Sequence, residues 1–133
     1  MSIMEWSDEL DIGVDSMNRE HKSILEIMNQ LHDGVQQNKD FSELKSLLVK
    51  LEEITIVHFK DEEEFMQKMN FSKYDSHKII HTQLLKQLTE HKENILSTEK
   101  IEDKFFIFLK TWLSAHIKGI DVKYGDEYNH KSV

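Results

Sequence analysis

Leu44–Met69 reads LKSLLVKLEEITIVHFKDEEEFMQKM. Leu44, Leu47, Leu48, Leu51, Ile54, Phe65, Met66 and Met69 recur at steps of three and four residues, the period of one helix face turned to a core. Into that stripe the sequence sets His58 and Glu62. Burying an imidazole and a carboxylate one turn apart costs several kcal/mol unless partners compensate them. The segment therefore predicts a long helix in a helical core, with metal-ligand chemistry carried on the buried face.

Outward from this helix the same pattern repeats. The spacing predicts a first helix over about 16–37, with His21, Ile24, Leu25, Met28, Leu31, His32 and Val35 in phase. Asn38-Lys39-Asp40 reads as a turn, and Asp40 with Glu43 has the form of a capping box opening the second helix. Asn70-Phe71-Ser72 breaks the pattern, and Ser72 with Asp75 offers a second capping box. A third helix is expected to about Leu96, with His77, Ile80, His81, Leu84, Leu88, His91 and Ile95 in phase. Ser97-Thr98 is read as the start of a fourth, carrying Ile101, Phe105, Phe108, Leu109, Trp112 and His116. Helices this long with short turns between them imply antiparallel neighbours. The expected fold is thus all-α, an up-down-up-down four-helix bundle in one domain spanning residues 1–133. An N-terminal arm holding Trp6, Leu10 and Ile12 occupies about 1–15, the bundle about 16–119, and a short polar tail follows.

Composition supports this class and narrows the partners. The 133 residues contain no proline and four glycines, and alternating β-branched runs are missing. A net charge of −8 argues against a nucleic acid or an anionic membrane as partner, since both select basic patches. No apolar run approaches the ~20 residues of a membrane span, and the first residues lack a signal peptide's basic and apolar regions. A cytoplasmic, monomeric protein is the expectation. With no cysteine, a metal here must be held by nitrogen and oxygen.

The antiparallel topology brings the ligand types together. His21 is early in the first helix, His58 and Glu62 late in the second, His77 and His81 early in the third, and His116 late in the fourth. All of these fall at one end of the bundle, and Asp121 follows five residues after His116. His58/Glu62 and His77/His81 are four apart, on one face about 6 Å from each other. Five residues of α-helix instead rotate a side chain roughly 140° away. The helix must end near Gly119 or pass through a wide π-type turn for Asp121 to point inward.

Five imidazoles and two carboxylates are too many donors for one open ion and suit two. Zinc favours four ligands, so the set fits octahedral iron or manganese. Imidazoles outnumber carboxylates, unlike the carboxylate-rich bundles that activate oxygen. That balance favours reversible binding of dioxygen over oxidation of a substrate. Leu25, Ile54 and Trp112, each one turn from a histidine of the set, are expected to form an apolar wall around a small diatomic.

The motifs Gly13-Val-Asp-Ser-Met-Asn-Arg-Glu-His21, His58-Phe-Lys-Asp-Glu62, His77-Lys-Ile-Ile-His81 and Trp112-Leu-Ser-Ala-His116-Ile-Lys-Gly-Ile-Asp121-Val-Lys-Tyr124 resemble the hemerythrin family, specifically its single-domain bacterial members. The resemblance spans nearly the whole chain. It implies a non-haem centre of two iron ions bridged by an oxo or hydroxo group. By analogy His77, His81 and His116 hold one iron, His21 and His58 the other, and Glu62 and Asp121 bridge them. Dioxygen would bind at the His21/His58 iron. Thr82-Gln83-Leu84-Leu85 and Lys22-Ser23-Ile24-Leu25 depart from the family in lacking an aromatic residue near the site, which implies a wider pocket.

The leading expectation is a binding protein and no enzyme: an oxygen carrier, store or delivery protein, with an oxygen-consuming protein as a conceivable recipient. An oxygen or redox sensor, and weak peroxidase, oxidase or nitric-oxide-scavenging activity, are the alternatives. His32 and His91 fall some 15 Å from the cluster along parallel helices, where they could face each other across the core. His130 belongs to the polar tail.

Overall fold

The structure is a computed structural model that describes residues 3–131. After a 3-10 turn at Asp8–Leu10 come α1 (Asp15–Gln36), α2 (Phe41–Lys68), α3 (Tyr74–Thr98) and α4 (Asp103–His116), then a π-turn over Ile117–Asp121 and α5 (Val122–Lys131). There is no strand among the described residues. Short connections reverse the chain between α1, α2, α3 and α4, giving an all-α antiparallel four-helix bundle. α1 packs on α2 and α4, and α2 packs on α3. No helix among the described residues is long and apolar enough to cross a membrane.

The stripes expected from sequence are the buried faces. Met28, Leu31, Leu51, Met66 and Leu109 are fully enclosed, and each such side chain stabilises the fold by ~1.5–3 kcal/mol. Helix ends are set by backbone chemistry. After α1, Asn38 takes a left-handed φ of 55° while the Lys39 amide donates to the Gly34 carbonyl. After α2, Asn70 does the same at φ 56°, with the Phe71 amide on Met66. Both closures satisfy carbonyls that the helix leaves over, and asparagine tolerates that conformation.

Several local expectations need correction. Ser97-Thr98 does not start the fourth helix but ends α3, which closes about where expected. That helix runs through Thr98, closes with Glu99 in the left-handed region at φ 56°, and α4 begins only at Asp103 with Glu102 as its N-cap. Asp40 is the N-cap of α2, yet its side chain makes no capping hydrogen bond. Ser72 does not cap α3: its hydroxyl and amide both donate to Glu127 of α5, at 2.6 and 3.0 Å. The residues read as a polar tail are a helix, α5, which carries His130 on its exposed side.

The arm lies along α1 as expected. Asn29 accepts from the Ile3 and Met4 amides and donates to the Met4 carbonyl. Asn18 accepts from the Ile12 amide, and its own amide donates to Asp11. Leu10, Ile12 and Val14 of the arm itself are buried.

The helix continues beyond His116 as a π-turn, the second of the two routes the five-residue spacing allowed. Gly119 is not what permits it. It has no left-handed φ, and a Cβ placed on it meets nothing within 4 Å. Gly119→Ala should therefore leave the turn intact and raise stability by about 0.5–1 kcal/mol through the lower entropy of the unfolded chain. Thermal unfolding and metal stoichiometry measured together check this; a loss in either would show that the turn needs glycine.

Candidate metal centre

Each element delivers its share of one buried cluster at one end of the bundle. α1 contributes His21, α2 His58 and Glu62, α3 His77 and His81, α4 His116, and the π-turn Asp121. Glu62 and Asp121 have no exposed surface, and all five histidines are buried. The donor atoms form two overlapping groups, each within 4.8 Å: Glu62, His77, His81, His116 and Asp121 in one, and His21, His58, Glu62 and Asp121 in the other.

The two carboxylates belong to both groups because each divides its oxygens between them. Glu62 Oε1 lies 2.8 Å from His81 Nε2 and 3.2 Å from His77 Nε2. Its Oε2 lies 3.3 Å from His58 Nε2 and 3.6 Å from His21 Nε2. Asp121 Oδ1 lies 2.9 Å from His116 Nε2 and 3.0 Å from His77 Nε2, while Oδ2 lies 3.0 Å from His21 Nε2. A three-histidine set and a two-histidine set thus share two carboxylates.

A surrounding layer orients the ring nitrogens. His58 Nδ1 lies 2.7 Å from Glu20, and His81 Nδ1 lies 3.0 Å from Glu63. A carboxylate only accepts, so each Nδ1 carries a proton, and it is Nε2 that faces the cluster and would give up its own proton to offer a lone pair to a metal ion. Phe59 stacks on the His81 ring at 3.9 Å between centroids, nearly parallel. The Tyr124 hydroxyl donates to Glu62 Oε2 at 2.6 Å.

Electrostatics follow from this crowding. Burial drives the imidazoles toward neutrality, but the carboxylates win. His58 is lifted to about 10 by Glu62 and by its bond to Glu20, and His77 to about 9 by Asp121 and Glu62. Burial likewise opposes ionisation of Glu62 and Asp121, yet the histidines around them hold both carboxyls below the usual range. Burial first, then the charge of Glu62, pushes the Tyr124 hydroxyl up, so it stays a donor. A metal ion binding here must displace protons from the imidazoles.

The donor set fits such ions. Both ring nitrogens of His21 and His77, His116 Nε2 and both oxygens of Asp121 are buried without a hydrogen bond. Buried polar atoms without partners are rare and ask for an explanation. Of these, the Nε2 atoms and the Asp121 oxygens meet in the two donor groups, which hard or borderline divalent cations with nitrogen and oxygen preference suit.

The residues expected to wall the oxygen pocket border different hollows. Ile54 lines a cavity of about 220 Å³ with Glu20, Val57 and His58. Leu25 faces a groove beneath the arm with Met4 and Trp6, and Trp112 lines a narrow hollow with Thr55, Phe59 and Leu88. Leu25 and Trp112 are at the same time buried in the bundle core, with Ile54 packed against it. His32 packs edge-on to Phe106, and His91 lies against Phe105 and Phe108. Neither belongs to either donor group.

Glu20, Glu63 and Tyr124 carried no role in the sequence reading. The two glutamates sit one residue from ligand positions, but each partner lies on another helix. Tyr124 had a usable signal, three residues past Asp121 and so on nearly the same helix face.

Comparison with known proteins gives one answer. The hemerythrin HHE cation binding domain matches residues 12–127. A bacteriohemerythrin of Stenotrophomonas maltophilia is 30% identical over 127 residues, covering 96% of this chain and 82% of that protein. A hemerythrin-like protein of Naegleria gruberi is 32% identical over 123 residues, covering 92% of each. The crystal structure of wild-type hemerythrin superposes with a TM-score of 0.86 at 28% identity, over 94% of this chain and 97% of that one.

Proposed function

The chain belongs to the hemerythrin family, and on that footing we propose that it binds dioxygen reversibly at a pair of iron ions, acting as an oxygen carrier, store or delivery protein in the cytoplasm. The observation that carries this reading is the division of Glu62 and Asp121 between two histidine sets. Two carboxylates each offering one oxygen to either side are arranged to join two ions, whereas a single ion would draw both oxygens to itself.

In this reading His77, His81 and His116 would hold one ion and His21 and His58 the other, with Glu62 and Asp121 shared between the two sets. When bound, the iron pair supplies the electrons for reversible coordination of dioxygen. The two-histidine set offers one donor fewer, which would leave a coordination position for a diatomic ligand on that side. Five imidazoles against two carboxylates limit the negative charge that would stabilise highly oxidised iron, which disfavours attack on a substrate and supports a non-enzymatic role. Glu20 and Glu63 keep their imidazole protons on Nδ1, away from the ions. Burial of all seven side chains keeps bulk water out. An oxygen-consuming protein is the natural recipient of the cargo.

The test is anaerobic loading with iron(II), followed by repeated exposure to air and evacuation. The proposal expects two irons per chain and a visible absorption band that appears with oxygen and fades without it over several cycles. One iron per chain, or zinc, would overturn the two-iron centre. Irreversible oxidation within seconds would overturn the carrier and favour a redox sensor or an enzyme.

A further inference from the structure

Glu62 is held unequally on its two sides. Oε1 accepts a hydrogen bond from His81 at 2.8 Å and has His77 at 3.2 Å. Oε2 stands farther from its imidazoles, at 3.3 and 3.6 Å, and its short bond comes from the Tyr124 hydroxyl at 2.6 Å. Asp121 has no such donor on either oxygen. Its direction is set by the backbone of the π-turn in which it sits.

The terminal torsion of a glutamate is broad, so its carboxylate turns readily unless something fixes it. Without Tyr124, the nearer imidazoles on the Oε1 side would alone decide the angle. The phenol is itself immobilised. Tyr124 has no exposed surface, and Phe65, Phe71 and His77 surround it with ring centroids 5.7, 6.1 and 5.7 Å away. Its helix is clasped to the α2–α3 connection by Glu127 on Ser72. No solvent reaches Glu62 to replace the hydroxyl.

We propose that Tyr124 is a positioning residue for the two-histidine half of the centre, holding Glu62 Oε2 in line for the ion at His21 and His58. The inference rests on the two-ion reading above. Two consequences of the hydrogen bond oppose each other: it withdraws electron density from Oε2, and it fixes the oxygen's direction. Loss of partners around metal ligands typically costs 10- to 100-fold in affinity, so orientation outweighs the gain in basicity.

Tyr124→Phe removes the hydroxyl and keeps the ring. Cobalt(II) titrated anaerobically into metal-free protein, followed by ligand-field absorption with a competing chelator, resolves the two steps. The wild-type chain should take up two ions. In the variant the tighter step, assigned to the three-histidine set, should stay within about twofold, while the weaker one should fall 10- to 100-fold with a changed band for the second ion. Equal weakening of both steps would mean a structural role and overturn the proposal, as would an unchanged second step. A wild-type chain that binds a single cobalt would instead bring down the two-ion reading itself.

Discussion

Glu62→Ala should leave a chain that folds, retains at most one of two irons, and shows no oxygen-dependent absorption band. The expectation follows from how much converges on this one side chain. Its two oxygens lie within 3.6 Å of His21, His58, His77 and His81, and one also receives the Tyr124 hydroxyl. Without it Asp121 alone spans the two sets, and the two-histidine set keeps three donors of four. That half should empty first.

The metal-free protein also feels the loss, with a definite sign. His58 titrates in the folded chain at about 10, against an ordinary 6.5, with the charge of Glu62 the largest raising contribution. A raised imidazole contributes stability that is fully present below the unfolded pKa and lost as pH rises through the folded one. The depressed Glu62 carboxyl sets the other limb, its contribution fading as pH falls below the ordinary carboxyl range. Removing Glu62 should therefore weaken the metal-free fold most near pH 6 and least above about 10. Metal analysis, the visible spectrum and urea unfolding at pH 6 and pH 10 check the three parts. Retention of both irons would contradict the spanning role of Glu62, and equal destabilisation at both pH values would contradict the electrostatic account. Glu62→Gln, which keeps the volume and one donor oxygen, should lose less metal.

What the sequence made legible here was periodicity and its exceptions. Polar residues in phase with Leu51 and Leu109 had to be buried, and antiparallel order then brought six of them to one end, with Asp121 following out of phase. The π-turn was half legible, because a five-residue step between His116 and Asp121 demanded some departure from α-helix without choosing which. What escaped depended on approach between helices rather than along one. Glu20 finds His58 on α2 and Glu63 finds His81 on α3, pairs that no spacing within a segment encodes. Ser72 has the residue type of a helix cap, yet it is taken by Glu127, 55 positions away. α5 was hidden because it docks through Val122, Tyr124, Gly125, the Tyr128 ring on Phe65 and a few polar contacts, too few apolar positions to write a stripe. Leu25, Ile54 and Trp112 occupy equivalent positions on different helices, and each also borders a different hollow of the bundle.

Gly125→Ala should be among the most damaging single-methyl additions in the chain. Gly125 is buried where α5 crosses the arm, and a Cβ built there collides with the Ile12 carbonyl oxygen, with the Ile12 carbonyl carbon 3.1 Å and its Cβ 3.3 Å away. The obstacle is backbone, which cannot swing aside as a side chain can. Alanine would by itself favour a helix by up to ~1 kcal/mol, while forcing atoms into a packed interior costs typically ~1–3 kcal/mol, and more where backbone must move. The clash wins, by about 2 kcal/mol net, which for a domain of this length lowers the melting temperature by roughly 7 °C. Whichever element yields, the consequence is readable. If the arm lifts, Leu10, Ile12 and Val14 lose cover and exchange protection falls across residues 8–14. If α5 lifts, Tyr124 leaves Glu62 and the second cobalt step weakens as in Tyr124→Phe, now together with a lower melting temperature. Gly119→Ala, six residues earlier and facing open space, is the matched control. A Gly125→Ala chain as stable as that control would show that α5 does not sit against the arm in this register.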